Sequence, residues 1–385
     1  MFMLEKAIVG SRRYWSWVIF LLLLMSVGLV CYLRQLNYGL GITGMSRDVS
    51  WGIYIAQFTF FVGVAASAVM VVLPYYLHDV KQFSQITILG EFLAISAVTM
   101  CMLFIFVDMG QPARVLNVLL YPTLHSMMFW DMISLSGYLL LNALISVVML
   151  HSESTGVPAP HWIKPIIILS IPWAVSIHTV TAFLYNGLPA RSIWFTALLA
   201  PRFLASAFAS GPALLILLCM ILRRFTTFDA GHEAIRKLGV IVTYAMTVNI
   251  FFLLLELFTV FYSGVPEEVE SFDYLLMGLH GNRHLAPVMW GSVLLGVVAL
   301  VALLVPRFRR NERVLALASV FVFMSLWLEK GMGLIVAGFV PSPLGSITQY
   351  SPTAPEWAIV MGVWATGALM ITVFYRIAVS VREAS

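Results

Sequence analysis

Ten long apolar runs follow one another along this chain, and they restrict its fold more than any other feature. Each run is close in length to the stretch of about 20 residues that a helix needs to cross a bilayer. Hydrocarbon offers the backbone no hydrogen-bond partners, so each run is predicted to be a helix. The runs lie near 15–33, 51–76, 86–107, 127–149, 165–187, 203–222, 238–262, 287–305, 314–338 and 357–378.

The composition leaves no room for a sizeable soluble domain, because hydrophobic residues make up 61% of the chain and charged residues only 10%. The predicted fold class is therefore an all-α polytopic membrane protein, with residues 1–385 in a single integral membrane domain. Basic stretches such as that around Arg309 are interpreted as loop charges that set orientation. We expect the chain to have the lipid bilayer as its partner and not nucleic acid.

Two pairs of segments resemble each other and indicate an internal repeat. ILGEFLAISAVTM at 88–100 resembles KLGVIVTYAMTVN at 237–249. MMFWDMISLSGYLLL at 127–141 resembles APVMWGSVLLGVVAL at 286–300. The repeat predicts two four-helix bundles, formed by helices 2–5 and helices 6–9, with helices 1 and 10 at their flanks.

The first predicted unit covers 51–187 and the second covers 203–338. When Trp130 is placed opposite Trp290, Asp131 of the first unit aligns with Gly291 of the second. A structural aspartate would be expected in both copies, so its presence in one copy favours a functional site in the first unit only.

The basic residues predict the orientation. With ten helices both termini lie on one side, which carries fifteen Lys and Arg residues against six on the other. The side with the termini is predicted to be cytoplasmic, in a cytoplasmic (inner) membrane. We call the opposite side the outer side. Its connection 263–286 contains four acidic residues and is either a solvated loop or a docking surface for an extracytoplasmic partner.

Ionisable residues inside the predicted helices are the candidates for function, because each costs roughly 3 kcal/mol to insert. Asp108 ends helix 3 and Asp131 starts helix 4, both at the outer side, and His178 lies in the outer part of helix 5. Three protonatable groups at one depth favour a functional site. The other ionisable residues within the helices are Glu91, Glu256, Glu329 and Lys330.

Structural roles compete with this interpretation. Asp131 is also suited to cap the N-terminus of helix 4. Lys330 is suited to pair with Glu329 or Glu256 and so to hold the helices together.

Several kinds of chemistry are not predicted for this chain. Cys31, Cys101 and Cys219 are isolated, and only His178 is clearly inside the membrane, so we expect neither a bound haem nor an iron–sulfur cluster. No nucleotide-binding motif is found. A quinone needs no metal ligand, only an apolar slot, aromatic walls, and bases for its two protons. Asp131 and His178 supply such groups, and the electrons must leave to a cofactor in another subunit.

Several segments resemble the NrfD/PsrC-like family of quinone-interacting membrane subunits. They are RQLNYGLGITGMSRDVSWGIYIAQFTFFVGVAASAVMV, LGEFLAISAV, FVDMGQPARV and MMFWD. WLEKGMGLIVAGFVPSPLG and QYSPTAPEW resemble the ten-helix branch, which includes the DsrP-type and HmcC-type subunits, and the likeness is closest to the DsrP type.

The resemblance implies a haem-free, quinol-oxidising or quinone-reducing subunit of a multi-subunit membrane oxidoreductase. It would exchange electrons between menaquinol and an extracytoplasmic, ferredoxin-like iron–sulfur subunit, beside cytochrome and other membrane subunits. Sulfur or sulfite metabolism is the implied context. In related alternative complex III subunits, the outer quinone site uses a His ending helix 3 and the Asp of a WD pair starting helix 4. Asp131 matches that Asp, whereas Asp108 stands in place of the His.

The resemblance also implies roles for residues. Asp131 would accept a proton or hydrogen bond from the quinol, and Asp108 would take or relay the second proton outward. His178 would bind the other quinol oxygen or hold the aspartates. Arg114 would lower the pKa values of the aspartates or anchor the pocket, and Trp130 would pack against the ring. Some relatives couple quinone chemistry to proton movement, for which the implied path is Glu91, Asn142, Glu256, Glu329 and Lys330.

Two other functions are compatible with ten helices and buried charges. A secondary transporter would be stable alone, whereas a redox subunit should copurify with iron–sulfur or haem partners. A passive membrane anchor would bind no quinone.

Overall fold

A computed structural model of the chain describes residues 10–78 and 80–382. This part of the chain is almost entirely helical, and ten of its helices are long and apolar enough to cross a membrane. They confirm the predicted all-α membrane fold. The ten are α1 (Arg12–Ile42), α2 (Ile53–Leu77), α3 (Thr87–Asp108), α4 (Met127–Thr155), α5 (Ile163–Asn186), α6 (Leu199–Phe225), α7 (His232–Ser263), α8 (Ala286–Leu304), α9 (Glu312–Ala337) and α10 (Ala354–Arg382).

Short helices lie in the connections. They are Lys81–Phe83, Pro112–Arg114, Asn117–Leu120, Ser192–Trp194, Pro266–Leu276 and Pro306–Arg309.

Helix α2 is the central helix and is almost wholly buried. It consists of two segments, Ile53–Ala65 and Val69–Leu77, joined by a turn. Glycines allow the neighbouring helices to approach this turn. A Cβ atom on Gly211 of α6 would lie 2.9 Å from the backbone nitrogen of Ser67. Close backbone approach at small residues is a common way to pack helices in membranes, and it brings α2 against α3, α5, α6 and α9.

The other helices pack as consecutive neighbours. In the first half α3 packs on α2 and α4, and α5 packs on α4 and α2. In the second half α7 packs on α6 and α8, and α9 packs on α8 and α6. Helix α10 packs on α1 and α3. These helix contacts are the ones expected of two four-helix units. The division of the chain into units at 51–187 and 203–338 stays a prediction.

Equivalent tryptophans hold the outer connections. Trp130 at the start of α4 donates a hydrogen bond from Nε1 to the carbonyl of Leu124 (2.8 Å). Trp290 at the start of α8 donates in the same way to the carbonyl of Leu276 (2.9 Å). The two residues occupy corresponding positions of the sequence repeat. Each therefore ties a connection to the first turn of the helix that follows it.

Glu356, at the outer end of α10, joins three distant segments. Its fully buried carboxylate accepts hydrogen bonds from the backbone N–H groups of Gly44 and Thr353 (2.7 Å each) and from the hydroxyl of Tyr350 (2.7 Å). The Tyr350 hydroxyl in turn accepts a hydrogen bond from the N–H of Ile53 (2.8 Å). Burial raises the pKa of Tyr350, which keeps the phenol a neutral donor.

We predict that Glu356→Gln lowers the free energy of unfolding by about 2 kcal/mol, because an amide nitrogen would face N–H donors and leave one unsatisfied. The measurement is the thermal unfolding midpoint of the purified protein in detergent. Glu270→Gln, which changes an exposed acid, is the matched control and should not shift the midpoint. Equal midpoints for both variants would contradict the proposed role of Glu356.

Candidate functional site

Asp131 lies in the first turns of α4 and is 3% exposed. The helix begins at Met127 after the cap residue Ser126, so Asp131 is not the N-cap, and that alternative is wrong. Its Oδ1 accepts a hydrogen bond from the hydroxyl of Thr181 on α5 (2.6 Å). Among the described residues it has no ion-pair partner. A buried carboxylate without a cation is energetically unfavourable, and such groups concentrate at functional sites.

The inward face of α5 carries His178, Thr181 and Tyr185, and all three are 0% exposed. The Nδ1 atom of His178 lies 2.9 Å from the carbonyl oxygen of Ala174. Since a carbonyl only accepts, Nδ1 carries the proton, and Nε2 is left as an acceptor. In the described part of the chain Nε2 has no partner that meets hydrogen-bond geometry, and the backbone of Gly63 lies close to the ring. Thr181 thus holds Asp131 one helical turn from His178.

Aromatic rings surround the outer end of this face. The Tyr185 hydroxyl hydrogen-bonds to Thr59 of α2 (2.5 Å). The Tyr185 ring lies 5.3 Å from the ring of Trp194, which is stacked on Trp51 at 5.7 Å. Tyr185 is close enough to Asp131 and Asp108 to interact electrostatically with both. The aromatic wall is therefore formed by residues that the sequence did not single out.

Asp108 lies at the last residue of α3 and is half-buried. Its Oδ1 is buried and has no hydrogen-bond partner among the described residues. Nearby, Tyr54 donates to Gln35 (2.8 Å), and Gln35 donates to the carbonyl of Val107 (2.6 Å). Asp108 is thus a second acid without a cationic partner, and it lies at the outer end of α3.

One buried face of α4 is polar along its length. It carries Asp131, Ser134, Tyr138, Asn142 and Ser146, which recur every three or four residues. At 1.5 Å per residue they span about 22 Å, most of the bilayer core. Asn142 donates to the carbonyl of Tyr138 (2.8 Å).

Glu91 of α3 lies at the end of this face that is remote from Asp131. It is 1% exposed, and its Oε2 accepts a hydrogen bond from Ser146 (3.2 Å). Its Oε1 has no partner among the residues that the structure describes. Glu91 and Asn142, both named from the sequence, therefore lie on one polar line that leads to Asp131.

Arg114 and Trp130 lie apart from this buried group. Arg114 is exposed in the connection after α3, and no ion pair between Arg114 and Asp108 or Asp131 is found. Trp130 is 42% exposed and directs its N–H to the connection before α4. The structure does not bring either side chain to Asp131. The roles of Arg114 at the pocket and of Trp130 against the quinone ring therefore stay predictions.

A second buried cluster lies in the other half of the molecule. Arg202 of α6 forms ion pairs with both Glu256 of α7 and Glu329 of α9. The sequence placed Arg202 in an outer connection, because the predicted helix began at residue 203, whereas α6 begins at Leu199. The predicted pairing of Lys330 with Glu329 or Glu256 is therefore wrong.

Lys330 lies next to this cluster in a π-helical turn of α9, Trp327–Gly333. Its Nζ is buried without a hydrogen-bond partner among the described residues and lies 4.1 Å from the centre of the Phe203 ring. Lys330 also interacts electrostatically with His178. The charges that the sequence assigned to one proton path thus form two groups, with Lys330 between them.

Sequence reasoning missed Arg202, Thr181 and Tyr185. A signal was available for Arg202, since two unpaired glutamates in facing helices require a cation. Thr181 and Tyr185 are three and seven residues beyond His178, so helical spacing places all three on one face. Within residues 10–78 and 80–382, no group of three or more His, Cys, Asp or Glu residues is placed to hold a metal ion.

Comparisons with known proteins give relatives that align over nearly the whole chain. The chain is 27% identical to a candidate membrane subunit of dimethyl sulfoxide reductase from Halobacterium salinarum, over 92% of this chain and 89% of that protein. It is 24% identical to the Hdr-like menaquinol oxidoreductase integral membrane subunit of Archaeoglobus fulgidus, over 96% and 94%. It is 21% identical to the integral membrane subunit of menaquinone reductase of Nitratidesulfovibrio vulgaris, over 94% and 91%.

A family model identifies the chain more firmly than any one relative. The model described as polysulphide reductase, NrfD, matches residues 41–340, well over half of the sequence. The match includes α2–α9 and therefore both buried clusters. The chain is a multi-pass membrane protein that belongs to the NrfD family.

Proposed function

We propose that this chain is the quinone-reactive membrane subunit of a multi-subunit oxidoreductase and that it exchanges electrons with menaquinol or menaquinone. The observation that carries the proposal is the buried carboxylate of Asp131, which has no cationic partner and is held by Thr181, one helical turn from His178 on α5. The names of two relatives, a menaquinol oxidoreductase subunit and a menaquinone reductase subunit, support the same substrate.

We propose that these residues serve a quinone ring with its two oxygens. His178 Nε2 accepts a hydrogen bond, Asp131 accepts a proton, and Tyr185 with Trp194 provides aromatic surface. A bound quinol supplies two electrons and two protons. Asp108, with its unpartnered Oδ1 at the outer end of α3, is placed to pass a proton outward. We propose that the protons leave on the outer side, where Asp108 ends α3.

The electrons require an acceptor or donor outside this chain. We propose an extracytoplasmic, ferredoxin-like iron–sulfur subunit on the outer face, with cytochrome and further membrane subunits in the complex. The exposed acids Glu267 and Glu270 of the helix Pro266–Leu276 offer a charged contact surface. We further propose a DsrP-like role in sulfur or sulfite metabolism and localisation in the cytoplasmic membrane, with both termini cytoplasmic. We expect no haem or iron–sulfur cluster in this chain itself.

The polar face of α4 supports coupling to proton movement. It leads from Asp131 through Tyr138 and Asn142 to Ser146, which is hydrogen-bonded to Glu91. We propose that this line conducts protons between the cytoplasm and the quinone site. Glu256, Glu329 and Lys330 lie in the other cluster, and their predicted part in the path needs a separate connection to Glu91.

We predict that Asp131→Asn lowers quinol oxidation by the purified complex about 100-fold, because the general base is lost. Thr181→Val should lower it about fivefold through the lost hydrogen bond, whereas Thr181→Ser keeps the hydroxyl and should restore the rate. Titration with a fluorescent hydroxyquinoline N-oxide should show weaker binding in the two impaired variants. Unchanged rates in assembled Asp131→Asn complex would favour a passive anchor.

We predict that Glu91→Gln retains inhibitor binding at the quinone site but abolishes proton exchange with the cytoplasmic side. The amide keeps an oxygen for Ser146 but does not carry a proton at neutral pH. The measurement is the signal of a pH dye during quinone turnover in proteoliposomes. Glu153→Gln, which changes an acid paired with Arg382 at the cytoplasmic end of α4, is the control. Normal proton exchange in the Glu91→Gln variant would contradict the proposed proton path through Glu91.

A further inference from the structure

Basic residues are distributed unequally on the side of the molecule where α1 begins and α10 ends, which we call the termini side. The connections α6–α7 and α8–α9, with the helix ends beside them, carry eight basic and three acidic residues within 223–237 and 307–313. The equivalent stretches of the first predicted unit, 77–86 and 150–164, carry two basic and two acidic residues. Orientation depends on the basic residues of a whole side, and it does not require them to gather in one unit.

Contacts between the two connections bring these basic residues onto one surface. Glu312 at the start of α9 forms an ion pair with Arg223 at the end of α6 and a hydrogen bond with His232 at the start of α7. The side chain of Arg309 packs on Gly239 of α7, where an added Cβ atom would lie 3.5 Å from the Arg309 Cγ. The α8–α9 connection is therefore fixed against the ends of α6 and α7.

Five arginines of this surface are exposed and have no ion-pair partner among the described residues. We call them the arginine rim, and they are Arg224, Arg236, Arg307, Arg310 and Arg313. The three acids of the surface have basic partners outside the rim. Asp229 and Glu312 lie beside Arg223, and Glu233 lies beside Lys237. The rim therefore carries positive charge that no acid of the described chain compensates.

The geometry of the rim is suited to phosphate groups. A guanidinium donates two parallel hydrogen bonds to one phosphate. The N–H of Arg310 bonds to the carbonyl of Pro306 (3.0 Å), so Arg307 and Arg310 are one helical turn apart and lie on the same face. Arg236 lies one turn before Gly239, where the α8–α9 connection packs on α7. Arginines from two elements thus border one region of the surface.

Exposed apolar side chains lie directly among the rim arginines. Phe225 follows Arg224 and is 72% exposed, and Phe308 follows Arg307 and is 46% exposed. Leu304, one turn before Phe308, is 51% exposed and is the last residue of the membrane-spanning α8. A soluble nucleotide or a nucleic acid would leave this apolar surface in water. A phospholipid offers a phosphate to the arginines and acyl chains to the apolar residues.

We propose that the arginine rim is a binding site for anionic phospholipids of the leaflet on the termini side. The phosphates lie between α7 and the α8–α9 connection, and the acyl chains lie along α8 and the end of α6. Bound lipid would add a link between these elements from outside the protein, beside the ion pair of Glu312 with Arg223. The inference does not rest on the quinone function.

The test uses the native complex in phosphatidylcholine nanodiscs that contain a small fraction of a photoreactive diazirine phosphatidylglycerol, with cross-linked peptides located by mass spectrometry. We expect labelled peptides from 221–241 and 304–317, and few from the equivalent stretches 77–87 and 150–166. Excess unlabelled phosphatidylglycerol should suppress this labelling. Sodium phosphate should suppress it no more than sodium chloride of equal ionic strength. The same diazirine on phosphatidylcholine should show no preference for the rim.

Two double variants remove the rim charges from different elements. Arg307→Gln with Arg310→Gln acts on the α8–α9 connection, and Arg224→Gln with Arg236→Gln acts on α6 and α7. Each pair should raise the phosphatidylglycerol fraction that gives half-maximal labelling about tenfold, because each arginine adds to the attraction for anionic lipid. Arg12→Gln with Arg13→Gln removes two exposed arginines at the start of α1, on the same side, and should change nothing.

Complex assembly and the unfolding midpoint show which variants are folded, and one folded rim variant suffices. Rim labelling that is specific for phosphatidylglycerol and weakened in that variant alone supports the proposal. Equal labelling of both units, equal labelling by the phosphatidylcholine probe, or unchanged labelling in a folded rim variant overturns it and leaves the arginines as orientation charges. Stronger suppression by sodium phosphate than by sodium chloride indicates a site for soluble phosphate and also overturns it.

Discussion

The absence of hydrogen-bond partners in hydrocarbon is the constraint on which this structure depends. Every backbone group must be paired within its own helix, which fixes the all-helical fold. The same constraint governs the side chains, because a buried charge is tolerated only with a partner or a function. Arg202 shows the first solution, since it joins α6 to Glu256 of α7 and Glu329 of α9. Asp131 shows the second, since its main partner is a neutral hydroxyl.

These two solutions give the halves of the molecule different chemistry. In the second half, two carboxylates share one guanidinium, so each acid has a cationic partner. In the first half, Asp108 and Asp131 have no such cation, and protonation is the remaining way to relieve burial. Groups of this second kind can gain and lose protons during a reaction. The first half is therefore better suited to proton-coupled chemistry.

The sequence predicts the membrane spans well because hydrophobicity over about 20 residues is a strong signal. It also names Asp131 and His178, and the structure links them through Thr181, which is hydrogen-bonded to Asp131 and lies one helical turn from His178. It predicts less well which way a side chain points. Trp130 and Asp131 are adjacent in sequence, but successive residues on a helix point about 100° apart. Asp131 therefore faces α5 while Trp130 is 42% exposed. Helix boundaries explain another difference, since a start at residue 203 leaves Arg202 in a solvated loop, whereas the observed start at Leu199 buries it between two glutamates.

The repeat and the asymmetry of its two copies have a common physical explanation. Trp130 and Trp290 make equivalent hydrogen bonds at the starts of α4 and α8, so the scaffold at these two positions is alike. The residue after each is different, because Asp131 aligns with Gly291. A buried acid contributes nothing to a scaffold that holds equally well with glycine. Its presence next to Thr181, one helical turn from His178, is therefore better explained by chemistry than by stability.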